Sequence, residues 1–239
     1  MFWSEDSNIR NWLPKLQAHR GYWINGATQN SLTSIMEAYK IGYEMAEFDI
    51  RMTSDGVIIL FHDMQFQNKI VSQTSFQELN SVITLTPLED LFRWFVKTEK
   101  FKLNIEVKSR DIIKVQFEKK IAELIEKYNI EDRVLVSSFN PLSLFKMSLF
   151  SPKLRRALLL TFEKEHGNNI IIKSLIFNFL CRPHILNLRS EDYSAKFRKL
   201  TEKIPIVLWT VNNLEIYNKN KDEIHGIISD SITPSDFKI

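Results

Sequence analysis

The constraint that most limits this fold is an alternation running from end to end. Short apolar stretches of strand length are separated by segments with a helical period. Residues 16–19 read as a first strand. Ser31 then reads as an N-cap, with Leu32, Ile35, Met36 and Tyr39 on one helical face and Gly42 as the stop. Strands are expected over Met45–Met52 and, after the Ser54-Asp55-Gly56 turn, over 57–62. Pro87 opens a helix carrying Leu88, Leu91, Phe92 and Phe95. Further strands are expected over 103–107, 134–139, 156–162, 184–188, 206–211 and Gly226–Ser229. Helices are expected over 115–128, Pro141–Phe150, 170–180, 195–203 and Leu214–Asn220.

Strands that alternate with helices imply a parallel sheet. Taking Met45–Met52 and 57–62 as one position with a short extra strand gives eight units. The expectation is therefore a TIM-type (β/α)8 barrel forming a single domain over 1–239. A doubly wound open sheet would more often show a Gly-rich first turn, and none follows the first strand. Little chain remains after Ser229 for an eighth helix, so a short turn or the segment 2–13 is expected to cover that position.

The formal charge of +3 comes from Lys and Arg interleaved with Asp and Glu, which does not suggest a nucleic-acid partner. The single Cys181 excludes an internal disulfide and is expected to be a buried small hydrophobe. The N-terminal residues lack a basic region followed by an apolar run, and no stretch is long enough to cross a bilayer. A cytoplasmic location is the default expectation.

Active sites of such barrels lie at the C-terminal ends of the strands. His19 and Arg20 occupy that end of strand one. Glu47 and Asp49 differ by two positions and so leave the same face of strand two. Asn104, Glu106 and Lys108 obey the same period on a later strand. Three carboxylates converging on a barrel mouth repel unless a cation neutralises them. Oxygen donors alone favour a hard ion, Mg²⁺ or Ca²⁺.

The ordered run His19-Arg20-Gly21, Gln29-Asn30-Ser31, Gly42, Glu47-Phe48-Asp49, Thr53, Asp55-Gly56 and His62-Asp63 resembles the signature of the glycerophosphodiester phosphodiesterase family. Ile105-Glu106-Val107-Lys108, Ser137-Ser138-Phe139-Asn140-Pro141, Leu208-Trp209-Thr210-Val211-Asn212 and Gly226-Ile227-Ile228-Ser229-Asp230 resemble later blocks of it, in order. The resemblance spans about 19–230. It implies a TIM-type barrel that hydrolyses a small phosphodiester to glycerol phosphate and an alcohol. It further implies that Glu47, Asp49 and Glu106 bind one divalent cation, that His19 and His62 form the acid–base pair, and that Arg20 and Lys108 hold phosphate oxygens. Trp209 would line the substrate pocket; on sequence alone an aromatic plug in the core is an equal reading. The role split takes His19 as base and His62 as acid.

Two departures from the family pattern stand out. Thr28-Gln29-Asn30-Ser31 replaces the usual Pro-Glu-Asn-Thr, so a carboxylate becomes an amide. The stretch 64–86 is short and lacks the usual Leu-x-Arg-Thr-Thr pattern, which implies a reduced insertion and bears on substrate preference.

Two alternatives accompany this reading. A lysophospholipase D-type lipid phosphodiesterase is suggested by the apolar run Ile170, Ile171, Ile172, Leu175, Ile176, Phe177, Phe179 and Leu180, which could give peripheral membrane contact. A buried barrel helix is the preferred reading of that run. A catalytically silent phosphate-binding module is suggested by Gln29 and the short 64–86 region, although both histidines and all three acids are retained.

Overall fold

The computed structural model describes residues 4, 6–109, 111–162 and 178–237. Eight parallel strands close on themselves in the order β1 (Leu16–Ala18), β2 (Met45–Met52), β6 (Lys102–Val107), β7 (Val134–Ser138), β8 (Arg155–Leu160), β9 (Ile185–Arg189), β10 (Ile206–Trp209) and β11 (Gly226–Ser229), and the β11–β1 pairing completes the ring. The expected TIM-type barrel is the observed one. β3 (Ile58–Leu60) returns antiparallel on β2, pairing Ile50 with Leu60 and Met52 with Ile58. It is the extra strand of the second position.

The helix after β1, α2 (Leu32–Lys40), starts where the sequence places it. Ser31 accepts from the Ser34 backbone N–H, and the Ser34 hydroxyl completes a capping box. Helices α4 (Leu88–Phe95), α5 (Gln116–Lys127) and α6 (Pro141–Phe150) pack their apolar faces on the outside of the ring. Over 195–203 the expected helix is shorter: a 3-10 turn, Ala195–Phe197, runs into a single α-turn, Arg198–Thr201. Basic residues dominate that stretch and only Phe197 is buried, so no continuous apolar face exists to extend it. The expected helix 170–180 lies outside the described residues except for its end, Asn178–Cys181, which is helical. Cys181 is buried, as expected.

Two stretches hold elements that the sequence does not announce. The stretch after His62 forms a small hairpin, β4 (Gln65–Phe66) with β5 (Lys69–Ile70), and then α3 (Phe76–Asn80). Short as it is, it encloses its own apolar cluster of Ile59, Val71, Leu79 and Leu85. The other is α1 (Ile9–Trp12). Rather than covering the eighth position, its Ile9 and Leu13 just after it enter the N-terminal end of the barrel and meet Met45, Leu135, Ala157, Ile185, Val207 and Ile228. Trp12 is held there by its Nε1–H to the Asp132 carbonyl (2.7 Å) and by the Arg155 guanidinium 4.4 Å from its ring. The eighth position is covered by the turn Thr233 to Phe237, whose Phe237 ring lies 4.5 Å from Tyr217.

The inner face of the barrel is therefore layered. Apolar residues close the N-terminal end. Above them Gln17 and Asn104, both fully buried, bond to each other at 2.9 Å. Acids follow at the C-terminal mouth.

Removing the plug tests this layering. Leu13→Ala is expected to lower stability by about 2–5 kcal/mol through a cavity at the closed end. The urea midpoint measures the loss.

Candidate active site

Strand register builds the centre of the mouth. β2 and β6 pair Glu47 with Asn104 and Asp49 with Glu106, so the two acids of β2 and the acid of β6 share one face. One carboxylate oxygen from each of Glu47, Asp49 and Glu106 lies within 4.8 Å of the others, and all three residues are buried. Lys108, two positions beyond Glu106, bridges two of them: its Nζ is 2.5 Å from Glu106 Oε1 and 3.0 Å from Asp49 Oδ1.

The loop after β1 closes the same cluster from the side. Arg20 has a left-handed backbone (φ 57°) and Gly21 follows at φ 78°. A Cβ on Gly21 would come within 2.5 Å of Ser34, so only glycine lets this loop lie against α2. The turn aims the Arg20 N–H at Glu47 Oε2 (3.0 Å) and its Nε toward Asp49 Oδ2 (3.4 Å). Gln29 accepts from Arg20 Nη1 at 2.9 Å. The amide at position 29 thus keeps the guanidinium oriented while contributing no charge. Asn30 clamps Asp49 twice, donating from Nδ2 to Oδ2 and accepting the Asp49 N–H, each at 2.9 Å.

Both predicted histidines reach this mouth. His19 Nδ1 is 2.7 Å from Asp230 Oδ1, and its Nε2 is 3.9 Å from Glu47 Oε2. A carboxylate can only accept, so Asp230 fixes the proton on Nδ1 and leaves Nε2 facing the acids. Asp230 is itself clamped by Asn212, whose Nδ2 donates to Oδ2 (2.8 Å) and whose Oδ1 accepts the Asp230 N–H. His62 follows β3, and its Nδ1 lies 2.8 Å from Asp63 Oδ1. Trp209, at the end of β10, packs its ring on the inner apolar layer and edge-on to Phe139, with centroids 5.5 Å apart. Its indole N–H has no partner among the described residues.

Asp230 and Asn212 were quoted in motif blocks but given no role from sequence. The signal was present: Asp230 lies two residues beyond Ile228, so the period that pairs Glu47 with Asp49 also turns Asp230 inward. His184 and His225 are structural. His184 Nδ1 accepts the Arg156 N–H, and His225 Nε2 bonds the Leu13 carbonyl at the opposite end. His166 lies outside the described residues.

The electrostatics separate the three acids. Burial, with the Asp49 and Glu106 charges, holds the Glu47 carboxyl well above the usual carboxylate range. Burial also pushes Glu106 up to about 7, with Asp49 adding to the rise and Lys108 opposing it. For Asp49 burial is outweighed by Lys108, His62 and Arg20, and its carboxyl is held well below the ordinary value. Lys108 is held above its ordinary range by Glu106 and Asp49 despite its burial. His62 is lowered, first by burial and then by Lys108. Facing two fixed cations, the three acids form an all-oxygen donor pocket whose full negative charge appears only when the protons on Glu47 and Glu106 are displaced. That donor set fits a divalent hard cation.

The Glycerophosphoryl diester phosphodiesterase family model matches residues 19–233. The chain belongs to this family. It is 28% identical over 231 residues to a glycerophosphodiester phosphodiesterase of Caldanaerobacter subterraneus, covering 89% of this chain and 92% of that one. It is also 30% identical over 165 residues to the uncharacterised YqiK of Bacillus subtilis, covering 62% and 67% of the two chains. Among solved structures, a family member from Parabacteroides distasonis superposes with TM-score 0.73 at 23% identity, over 93% and 94% of the two chains. A phosphodiesterase of Oleispira antarctica in complex with the product sn-glycerol-3-phosphate superposes with TM-score 0.74 at 18% identity, over 92% and 94%. These superpositions show the family's barrel.

Cation affinity should follow the acids' protonation. A proton on Glu106 or on Glu47 competes with the ion, so affinity is expected to fall as pH drops through about 7, where Glu106 takes its proton, with Glu47 adding to the loss. Titration calorimetry with Mg²⁺ and with Ca²⁺ from pH 8 to 5.5 measures this, at roughly tenfold per pH unit for each proton displaced. Glu106→Gln is expected to flatten the slope and weaken binding.

Proposed function

We propose that this family member hydrolyses glycerophosphodiesters to glycerol phosphate and an alcohol, with one divalent cation, Mg²⁺ or Ca²⁺, on Glu47, Asp49 and Glu106. The observation that carries the reading is the buried acid trio, with Lys108 bridging Asp49 and Glu106 and with His19 and His62 beside it at one mouth. The relatives' names and the glycerol-phosphate product bound by the Oleispira antarctica neighbour support the same substrate class.

A phosphodiester resists cleavage because the attacking group must approach an anion and an alkoxide must leave. A divalent cation bound to the trio supplies polarisation of a phosphoryl oxygen and screening of its charge. Arg20 and Lys108 offer further donors to the remaining oxygens, Arg20 as a planar fork and Lys108 as a point charge. His19 accepts the proton of the nucleophile at Nε2, since Asp230 keeps Nδ1 protonated and stabilises the imidazolium that forms. His62 donates to the leaving alkoxide. The Trp209 and Phe139 rings wall the side of the mouth next to Lys108, whose Nζ is 5.8 Å from the Phe139 ring. Both imidazoles and all three acids meeting at one mouth supports turnover over silent binding.

The proton roles set the pH dependence. The base must be neutral and the acid protonated, so kcat/KM is expected to be bell-shaped. Because His62 loses its proton below the ordinary histidine value, the alkaline fall should begin low in the free enzyme. His62→Ala is expected to cost roughly 10²–10⁴-fold in kcat and to remove that alkaline limb. Asp230→Asn should cost a comparable roughly 10²–10⁴-fold by releasing the His19 tautomer. Hydrolysis of glycerophosphocholine, followed as glycerol 3-phosphate release with each cation and with excess chelator, measures all of these. Undiminished activity in chelator, or in Glu106→Ala, would overturn the reading.

A further inference from the structure

The loop after β6 leaves the catalytic strand at Lys108 and presents Ile112 and Ile113 to solvent. They are 70% and 88% exposed, the two most exposed large apolar residues among those described. Exposure on this scale reflects how the loop backbone is held. Lys146 of α6, itself 5% exposed, donates to the carbonyls of Asp111 (2.7 Å) and Lys114 (2.6 Å), which bracket the pair. Glu118, fully buried, lies 3.7 Å from the same Nζ, and Asn140 donates to the Ser109 carbonyl. A buried cation and a side-chain amide thus fix the loop on both sides. Neither isoleucine contributes to the core.

Loops that follow parallel barrel strands emerge at the same end, and this is the end of the acids and histidines. The loop after β1 exposes Ile24 (50%), and the loop after β8 exposes Phe162 (38%). Met64, two residues beyond His62, is 40% exposed. The rim of loops around the mouth therefore exposes apolar side chains, the isoleucine pair most of all.

We propose that this rim docks the open end of the barrel on a phospholipid bilayer surface, with Ile112 and Ile113 inserted among the acyl chains. The proposal deepens the phosphodiesterase reading and rests on it for its purpose, since it places the site where a phosphodiester embedded in an amphiphile would be met. The size of the patch favours lipid over protein. Two side chains at a loop tip fall far short of the roughly 800 Å² per partner that a stable protein interface buries. A bilayer needs only a few apolar side chains to gain from burial, because the surrounding polar groups stay in the headgroup layer. The flanking charges, Asp111 and Lys114, can remain at that level, and the chain's net charge of +3 does not oppose an anionic surface.

Co-sedimentation with vesicles of phosphatidylcholine and phosphatidylglycerol tests the proposal, alongside hydrolysis of water-soluble glycerophosphocholine. The full chain is expected to sediment with the vesicles. An Ile112→Ser/Ile113→Ser double variant is expected to lose vesicle affinity by roughly tenfold or more while hydrolysing glycerophosphocholine within about twofold of the parent. Both positions are exposed, so folding is not at risk. Failure of the parent to sediment, or equal sedimentation of both proteins, would overturn the proposal. So would loss of soluble-substrate turnover along with vesicle binding, because the pair would then serve the site. A parent that fails to sediment and self-associates through this pair would replace the bilayer with a second copy. If neither protein hydrolyses any phosphodiester but only the parent sediments, the docking surface stands and the catalytic reading falls.

Discussion

Three carboxylates buried within 4.8 Å of one another are the arrangement on which the rest of this mouth depends. Two like charges 4 Å apart repel by about 4 kcal/mol even at an effective dielectric near 20, so the trio cannot stay fully ionised unaided. The chain answers in two ways. Lys108 and Arg20 hold Asp49 ionised, and the residual strain falls on Glu47 and Glu106, whose carboxyls are pushed toward the protonated form. The arrangement is poised: a hard cation that displaces those protons relieves a repulsion the fold has built in. Asn30 matters for the same reason. Its two bonds to Asp49 fix one ligand in place independently of any ion.

Holding that charge requires a rigid floor, which the inner layers supply. α1 and Leu13 seal the N-terminal end with aliphatic side chains. Gln17 and Asn104 then provide a buried amide pair directly below the acids, since Asn104 precedes Glu106 by one inward position and faces Glu47 across the register. The step from apolar to amide to carboxylate raises polarity toward the mouth, and the acids never rest on bare hydrocarbon. A charge displaced by one register position would sit in the aliphatic layer at a prohibitive desolvation cost.

Much of this was legible in the sequence because period-two spacing is local. Glu47 and Asp49 must share a face, as must Asn104, Glu106 and Lys108, and Ser31 announces its helix by hydroxyl chemistry alone. Asp230 obeys the same rule, yet its meaning depends on His19, which is more than two hundred residues away and meets it only because β11 pairs with β1. Asn212 is further removed, acting through Asp230. The hairpin and helix after His62 were illegible for a different reason: their strands are two residues long and leave no periodicity to read. For the eighth position the sequence left a short turn or the segment 2–13, and the turn covers it; that α1 fills the opposite end was not legible, because a four-residue helix carries no signal of which end of a barrel it will fill.

The two imidazoles illustrate how unequal surroundings divide one chemistry. His19 is 19% exposed and keyed by Asp230, which Asn212 holds from the far side, so its tautomer and its direction are both set. His62 has a 40% exposed side chain, and its partner Asp63 is 70% exposed, where water screens the pair and contributes little to orientation. Burial and Lys108 then work against its charge. A residue so placed holds its proton weakly and exchanges it readily with solvent. Those properties suit a donor to a departing alkoxide, and an incoming phosphodiester anion would strengthen the charged form just when the proton is needed. In the proposed reaction the fixed histidine takes the proton and the loosely held one gives it.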